Sequence, residues 1–454
     1  MGERTKDDGG LAVVRIKPLG AGGGGIERSA VLGDVGAIQV VDGNIRVSRN
    51  GRGSNCRRFV YPKHIISAEH NQEELYRMFM PKRVDKFLNG VDVNIMAYGQ
   101  TGSGKTHTMF GPPGLMAVAA AGHAGTTVCP EYGLCPRGVL DIMEQLDQLR
   151  KLNTLRYELT ASAVELTVEG NLDMFDRCKR GSGSCVGGWA AFSGAAGVSC
   201  DKSTKPARLY GMTEISMEGE SSLRALSDAI ACRNTAGTDL NDSSSRSHCF
   251  VFLTLYAYDA STDSLRTSRF QFVDLAGSER LRDAHACGDG YPSGGCGPSG
   301  MSHGAMEGLN TNYTLMMLSQ RVRELVAARR RGKKAEALVQ LSFKSQLDPD
   351  LLPLLGESIT GSALTLLVVC VSSAPDNASQ SVNALDFGEV FSHLAVFPQE
   401  VPSRPLADLR RRAEGLVAAG AGARGNSDRY ALMRDAQFRD GKRLLSLIAR
   451  LTDV

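Results

Sequence analysis

The sequence predicts an α/β fold, a central mixed β-sheet flanked by helices on both faces. Three observations carry this reading. Short apolar runs of strand length recur at residues 11–16, 93–98, 249–258, 270–275 and 364–371. Between them lie stretches whose apolar residues repeat at three- and four-residue spacing, the signature of helices with one buried face. A glycine-rich turn, Gly-Gln-Thr-Gly-Ser-Gly-Lys-Thr at 99–106, falls where the second strand gives way to a helix. Strands alternating with amphipathic helices form a sheet covered on both sides.

Taken in order, residues 93–98 are mostly apolar and end on Gly99, a strand stopped by a turn residue. Residues 219–233 place Leu223, Leu226 and Ile230 on one helical face, and residues 309–328 do the same with Leu315, Leu318, Val322 and Leu325. Both stripes are read as core. Residues 112–132, 178–207 and 281–306 are rich in small residues and are expected as surface insertions, the second holding the single tryptophan, Trp189. After residue 396 a proline-punctuated linker, 397–402, leads to helices expected at 406–419 and 428–451. Leu444, Leu445, Ile448 and Leu451 form a stripe in the second. Neither helix sustains three heptads, so a dimerising coiled coil is not shown, and docking on the preceding domain is expected. The organisation expected is an N-terminal extension (1–10), one large domain (11–395), and a linker with a helical extension (396–454).

Composition narrows the class without naming it. A chain of 454 residues can bury a large core. Lys and Arg number 52 against 49 acidic residues, so a polyanionic partner would need a local basic patch. No apolar run reaches membrane-spanning length, and the first residues lack a signal-peptide core. Gly2 is followed by Lys6 where lipidation wants a hydroxyl residue. Eleven cysteines without a C-x-x-C pair fit reduced thiols in a cytoplasmic protein.

The turn at 99–106 is a phosphate-binding loop. Gly99, Gly102 and Gly104 let successive N–H groups of Gln100, Thr101 and Ser103 point at phosphate oxygens, and the following helix adds its positive end. Lys105 is placed to reach the outer phosphates and Thr106 to ligate Mg²⁺. Two more segments convert binding into a reaction. Residues 241–248, Asn-Asp-Ser-Ser-Ser-Arg-Ser-His, precede one strand, and residues 274–279, Asp-Leu-Ala-Gly-Ser-Glu, end another. Phosphoryl transfer needs metal, oriented water and charge neutralisation. Asp274 can hold the metal's hydration shell, Gly277 exposes an N–H to the terminal phosphate, and Arg246 with Glu279 has the chemistry of a charge-assisted pair closing the two loops.

These three segments resemble the phosphate loop, switch I and switch II of the kinesin motor domain, in the same order. Supporting matches are Val14 to Pro18, Gln72-Glu73, His107, the run 307–315 and Leu385-Asp386-Phe387. The resemblance covers about residues 11–395. It implies a kinesin-type P-loop NTPase fold and an ATP-dependent microtubule motor. By the same resemblance, Thr106 and Ser245 ligate Mg²⁺ with Asp274 acting through water. Asn241, Ser245, Gly277 and Glu279 hold the lytic water, Arg246 pairs with Glu279, and Arg15, Lys17, Pro18 and His107 flank the nucleotide.

The chain also departs from that pattern. Where the family carries a Tyr-Arg-Asp-Ser-Lys-type motif against acidic tubulin, residues 341–350 keep Lys344 but hold Leu347 or Asp350 at the lysine. The family's lysine in the preceding helix signature is Tyr313. Val91-Asp92 replaces an aromatic position. A basic cluster, Arg329, Arg330, Arg331, Lys333 and Lys334, stands just upstream, either a solvated helix end complementing the helix dipole or a rewired, salt-sensitive microtubule contact. The glycine-rich run 281–306 would transmit strain poorly, so weak coupling between turnover and track is expected. The alternative is a nucleotide-gated, non-motile microtubule-binding or structural protein. Either reading implies a microtubule-associated place in the cytoskeleton with cargo or assembly partners, and neither implies nucleic acid.

Overall fold

The computed structural model describes residues 11–17, 37–48, 56–62, 64–67, 69–112, 114–119, 121, 128–152, 155–167, 170–180, 198–202, 207–235, 246–279, 303–332, 349–394, 396–421 and 428–452. In chain order the first strands are β1 (Leu11–Lys17), β2 (Ile38–Val41), β3 (Asn44–Ser48), β4 (Cys56–Phe59), β5 (Ile65–Ile66) and β6 (Val93–Tyr98). Then come β7 (Arg156–Thr167), β8 (Gly170–Asp173), β9 (Ser199–Asp201), β10 (Arg208–Tyr210) and β11 (Ile215–Ser216). The last are β12 (His248–Asp259), β13 (Ser264–Asp274), β14 (Leu364–Ser372) and β15 (Arg404–Pro405). The helices are α1 (Gln72–Phe79), α2 (Pro81–Leu88), α3 (Lys105–Met109), α4 (Leu115–Val118), α5 (Leu134–Leu152), α6 (Met174–Arg180) and α7 (Gly219–Thr235). They continue with α8 (His303–Arg330), α9 (Leu351–Leu354), α10 (Gly356–Thr360), α11 (Ala378–Ser392), α12 (Leu406–Ala421) and α13 (Asp428–Thr452).

The main sheet runs β11-β7-β12-β13-β6-β14-β1-β5, with β8 on β7 and β15 on β13. Its centre is parallel, with Val93 opposite both Phe270 and Leu364 and Leu11 opposite Leu366. The β7-β12-β13 half is antiparallel, with Cys249 opposite Asp274 and Glu165. The sheet is therefore mixed, as predicted. All six residues of β6 are buried, which a parallel strand covered on both faces requires. Val93, Ile95 and Ala97 enter a core with α1, α2, α5 and α7, while Met96 and Tyr98 enter another with α8 and α11.

Local sequence explains several helix ends. The Asn71 side chain accepts from the Glu74 N–H at 2.9 Å, and the Glu74 carboxylate accepts from the Asn71 N–H at 2.9 Å, a capping box that starts α1. Pro81 opens α2, where a missing N–H costs nothing. The α7 and α8 stripes are buried as predicted. Within 112–132 the structure corrects the expectation of a plain surface insertion. Helix α4 packs against α7, with Met116 and Ala119 buried and Tyr132 packed beside Ala119. Trp189 lies outside the described residues, as does most of 281–306, whose last four positions belong to α8.

Beyond α11 the chain follows the sheet. The Phe397 N–H donates to Gly361 O (2.8 Å), the Val401 N–H to Gly90 O (2.8 Å), and Arg404 lies opposite Leu265 on β13. The last two helices then pack as a hairpin at close range. A Cβ on Gly420 would strike Phe438, and one on Gly441 would strike the Ala413 carbonyl and Val417. Leu444, Leu447, Ile448 and Leu451 meet Tyr256, Tyr258 and Leu265 with Leu406 and Ala413. The buried stripe contains Leu447, with Leu445 at its margin.

Replacing Ile448 by alanine is expected to cost about 2–5 kcal/mol locally. Hydrogen exchange should then quicken through residues 406–452 while the amides of β6 stay protected. Unchanged exchange in α12 and α13 would show that this contact does not hold the hairpin.

Candidate functional site: a phosphate-binding pocket

The loop after β6 turns on residues that only glycine fits. Gly99, Gly102 and Gly104 all have positive φ, and a Cβ on Gly99 would collide with the Cys370 carbonyl of β14. Gln100 O gathers the loop around itself, accepting from the Ser103 hydroxyl at 2.7 Å and from Lys105 Nζ at 2.9 Å. Lys105 is buried; desolvation lowers its pKa, opposed by the fields of Asp274 and Glu279. The Thr101 N–H donates to Glu279 at 2.8 Å, and the Thr101 hydroxyl donates to the same carboxylate. Gly277 lies beneath this contact, where any Cβ would strike both partners.

Beside the loop is a buried ionic network. The Thr106 hydroxyl donates to Asp274 Oδ2 (2.8 Å), and Arg233 Nη1 donates to the same oxygen (2.5 Å). Arg233 Nη2 reaches Ser247 O (2.9 Å), its Nε lies 3.7 Å from Glu165, and Glu165 also pairs with Arg177 (2.8 Å). The Arg233 and Asp274 side chains are each 1% exposed. Burial alone would discharge Arg233, but Asp274, Cys249 and Glu165 more than offset it, and its pKa is raised. Asp274 Oδ1 is buried without a hydrogen-bond partner. That free acceptor beside the Thr106 hydroxyl is a hard-oxygen donor set, which fits magnesium arriving with phosphate oxygens. Among the described residues no cluster of three His, Cys, Asp or Glu could hold a metal unaided.

Sequence reasoning missed Arg233, although a signal was present. Positions 223, 226, 230 and 233 fall on one stripe of α7, and a charge on an apolar stripe implies a buried partner.

The strand-edge residues converge on the same loop. Arg15 Nη1 donates to Gln72 Oε1 (2.8 Å) and to the Thr108 hydroxyl (2.9 Å), and Lys17 Nζ donates to Gly102 O (3.0 Å). Gln72 Nε2 donates to His107 O (2.7 Å) and lies 3.1 Å from His107 Nδ1. Burial, then the Arg15 charge, lowers the His107 pKa.

A hydrogen-bonded chain leaves the pocket through His248. The Ala276 N–H donates to His248 Nδ1 (3.1 Å), which therefore carries no proton. Nε2–H then donates to the Thr314 hydroxyl (3.0 Å), which donates to Thr311 O (2.8 Å) on α8. The Thr311 hydroxyl returns to Arg246 O (2.6 Å). Burial, with Arg233 and Lys105 nearby, pushes His248 down to about 3.

Comparison with known proteins gives the family. The Kinesin motor domain family matches residues 33–394. The chain belongs to the kinesin motor-domain family. It is 27% identical over 412 residues to the human Kinesin-like protein KIF7, covering 88% of this chain and 26% of that relative. It is 26% identical over 370 residues to the rice Kinesin-like protein KIN-4A, covering 75% and 32%. The chain thus spans about a third or less of these relatives. Among solved structures, a fast kinesin superposes with a TM-score of 0.62 at 20% identity, covering 87% of this chain and 94% of that one. A KIF14 dimer determined with AMP-PNP on a microtubule gives 0.64 at 22%, covering 87% and 96%. These two likenesses show the kinesin P-loop NTPase fold.

Within this kinesin domain the structure brings Arg15, Lys17, the 99–107 segment, Asp274, Gly277 and Glu279 together. Glu279 accepts from the Thr101 N–H and hydroxyl, a contact the sequence reading did not expect beside the Arg246–Glu279 pair. Pro18, Asn241, Ser245, Lys333, Lys334 and Lys344 lie outside the described residues. Of the basic cluster, Arg330 and Arg331 are exposed. Arg329 is drawn inward, its guanidinium 4.9 Å from the Phe397 ring centroid.

Two outcomes are expected. Arg233→Ala leaves Asp274 buried without its cation and should cost about 3–5 kcal/mol in urea unfolding; a loss below about 1 kcal/mol would rule out the pair as a structural centre. His248 binds its proton near pH 6.5 when unfolded but only near pH 3 when folded, so stability falls as pH drops through that window. Between about pH 6.5 and 5 the loss is roughly 2 kcal/mol. His248→Gln should flatten the slope, and an unaltered slope would assign it to other groups.

Proposed function

We propose that this chain is the MgATP-binding and hydrolysing unit of a microtubule motor, with turnover coupled to the track. The observation that carries this reading is the continuous polar path from Thr106 through Asp274, Arg233 and Ser247 to His248 and α8. When bound, MgATP supplies the phosphoanhydride to be cleaved and a cation that neutralises its oxygens. Lys105 exchanges Gln100 O for phosphate oxygens. Thr106 and Ser245 would hold the metal through their hydroxyls, and Asp274 would hold it through water. Thr101 gives up Glu279, which turns with Arg246, Asn241 and Gly277 toward the lytic water and receives its proton. Ala276 follows this movement, and its hydrogen bond to His248 carries the change to Thr314. By the same reading the protein acts at the microtubule cytoskeleton of the cytoplasm, with Arg330, Arg331, Lys333, Lys334 and Lys344 toward acidic tubulin.

A second reading, a nucleotide-gated binder that does not walk, is favoured by the exposed face of α8. Leu309, Tyr313 and Met316 are exposed there, and Arg329 is engaged by Phe397. Steady-state ATPase with and without microtubules separates the two. Stimulated turnover that falls by about a hundredfold or more in Glu279→Ala is expected of the motor. A low rate indifferent to microtubules would overturn the coupled reading and leave the second.

A further inference from the structure

A cavity of about 630 Å³ lies against β12 and β13, bordered by the segment after α11 and by the α12–α13 hairpin, and it shares no residue with the phosphate pocket. It follows β13 past Leu265, Thr267 and Arg269, a run of roughly 13 Å at the rise of a strand. Leu209, Met212, Phe252, Leu409 and Leu444 give it an apolar wall, and its size is that of a small-molecule site. At its hairpin end the acids are already engaged. Glu214 accepts from the Thr160 and Tyr256 hydroxyls and pairs with Arg443. Asp408 pairs with Arg411 (3.3 Å), and Asp440 accepts from the Gly211 N–H (3.3 Å). The cations there are not all answered. Arg412 Nε and Arg443 Nε are buried without a hydrogen-bond partner, the latter 3.8 Å from Asp440. Among the described residues neither Arg208 nor Arg412 has an ion pair, and both line the cavity. Burial lowers the Arg412 pKa, and the Arg208 charge adds to this. A guanidinium left unpaired on an apolar wall is costly until an anion meets it.

We propose that this cavity is a binding site for a small monoanionic amphiphile, a carboxylate carried on an apolar ring or short chain. The carboxylate takes the unanswered N–H groups of Arg412 and Arg208, whose planar forks match its two oxygens. Its apolar body lies along the wall toward Phe252. The far end of the cavity sets the charge at one. Asp92 accepts from the Arg269 N–H (2.7 Å), and Asp92 O and Glu357 O take the adjacent N–H groups of Leu364 and Ala363, so two carboxylates stand together there. Both side chains line the cavity, and they repel a second negative group. Gln399, Glu400 and Arg404 are exposed and also line it, which marks the way in. Arg412 belongs to α12, Arg443 to α13 and Arg208 to β10, so one bound anion ties the hairpin to the body of the domain.

The site needs no nucleotide and stands apart from the motor reading. The full chain is titrated by calorimetry with 2-naphthoate and with its neutral counterpart 2-naphthamide. The expected result is one site for the carboxylate, with the amide weaker by about tenfold or more because it leaves the guanidiniums unanswered. Arg412→Met and Arg208→Met should each weaken 2-naphthoate by a similar factor. Inorganic phosphate, an anion without an apolar body, should not displace it, and displacement would overturn the amphiphile. Arg412→Met removes a cation that has no partner, so the ligand-free variant should melt at or above the temperature of the parent chain. A lower melting temperature would mean that Arg412 is already satisfied, and that would overturn the site. Equal binding of acid and amide, binding that survives Arg412→Met, or no binding of 2-naphthoate at millimolar concentration would do the same.

Discussion

The pocket depends on one buried ion pair, Arg233 with Asp274. Both charges are withdrawn from water, which is costly, and each is stabilised mainly by what the other supplies. Their geometry fixes four elements at once. Arg233 closes α7, Asp274 closes β13, the Ser247 carbonyl leads into β12, and Glu165 stands on β7. Arg177 on the far side of Glu165 brings the cluster to two cations and two carboxylates. Packing apolar groups there would hold the elements together as well. It would not aim a carboxylate at Thr106, and that direction is what the ionic solution secures.

From this centre, a short hydrogen-bonded route reaches α8. The glycine-rich stretch 281–306 suggested a loose link, because the chain between Glu279 and α8 passes through it. The contacts described do not follow the chain. Ala276, His248 and Thr314 cross directly from the end of β13 to the helix, and Arg246 with Thr311 makes a parallel crossing. Hydrogen bonds with one fixed tautomer are directional, so a small shift of Ala276 breaks or keeps a contact and does not merely stretch a tether. Arg329 and Phe397 extend the same helix to the segment after α11.

Much of this was legible in the sequence because the relevant signals are local. The phosphate loop needs glycines at fixed offsets, and the central strands need unbroken apolar runs. Elements at 93–98, 364–371 and 406–419 emerged within a residue or two of their observed ends. Strand β7 escaped notice because both its faces are buried yet carry polar residues, Glu158, Thr160 and Ser162 on one and Glu165 on the other, so its polarity hides its position. Glu279 was legible as an acid near the pocket, but its contact with Thr101 was not, since the two lie 178 residues apart in sequence. Long-range pairs such as Arg233 with Asp274 leave only a charge on an apolar stripe as their trace. The stack of Tyr98 on Phe387, with ring centroids 4.2 Å apart, leaves none.

The place of β1 bears on how the chain becomes a pocket at all. Residues 11–17 are made well before 366–372, yet the two pair in parallel, and Arg15 reaches Gln72 and Thr108 from that position. On a ribosome the first strand must therefore wait for β14, and loop closure of that length makes the pairing slow. Until then one edge of β6 lies bare and the phosphate loop lacks the Cys370 carbonyl against which Gly99 turns. Nascent chains arrested before residue 364 would expose unpaired strand edge to chaperones, and competence to bind a ligand would arrive in a single late step.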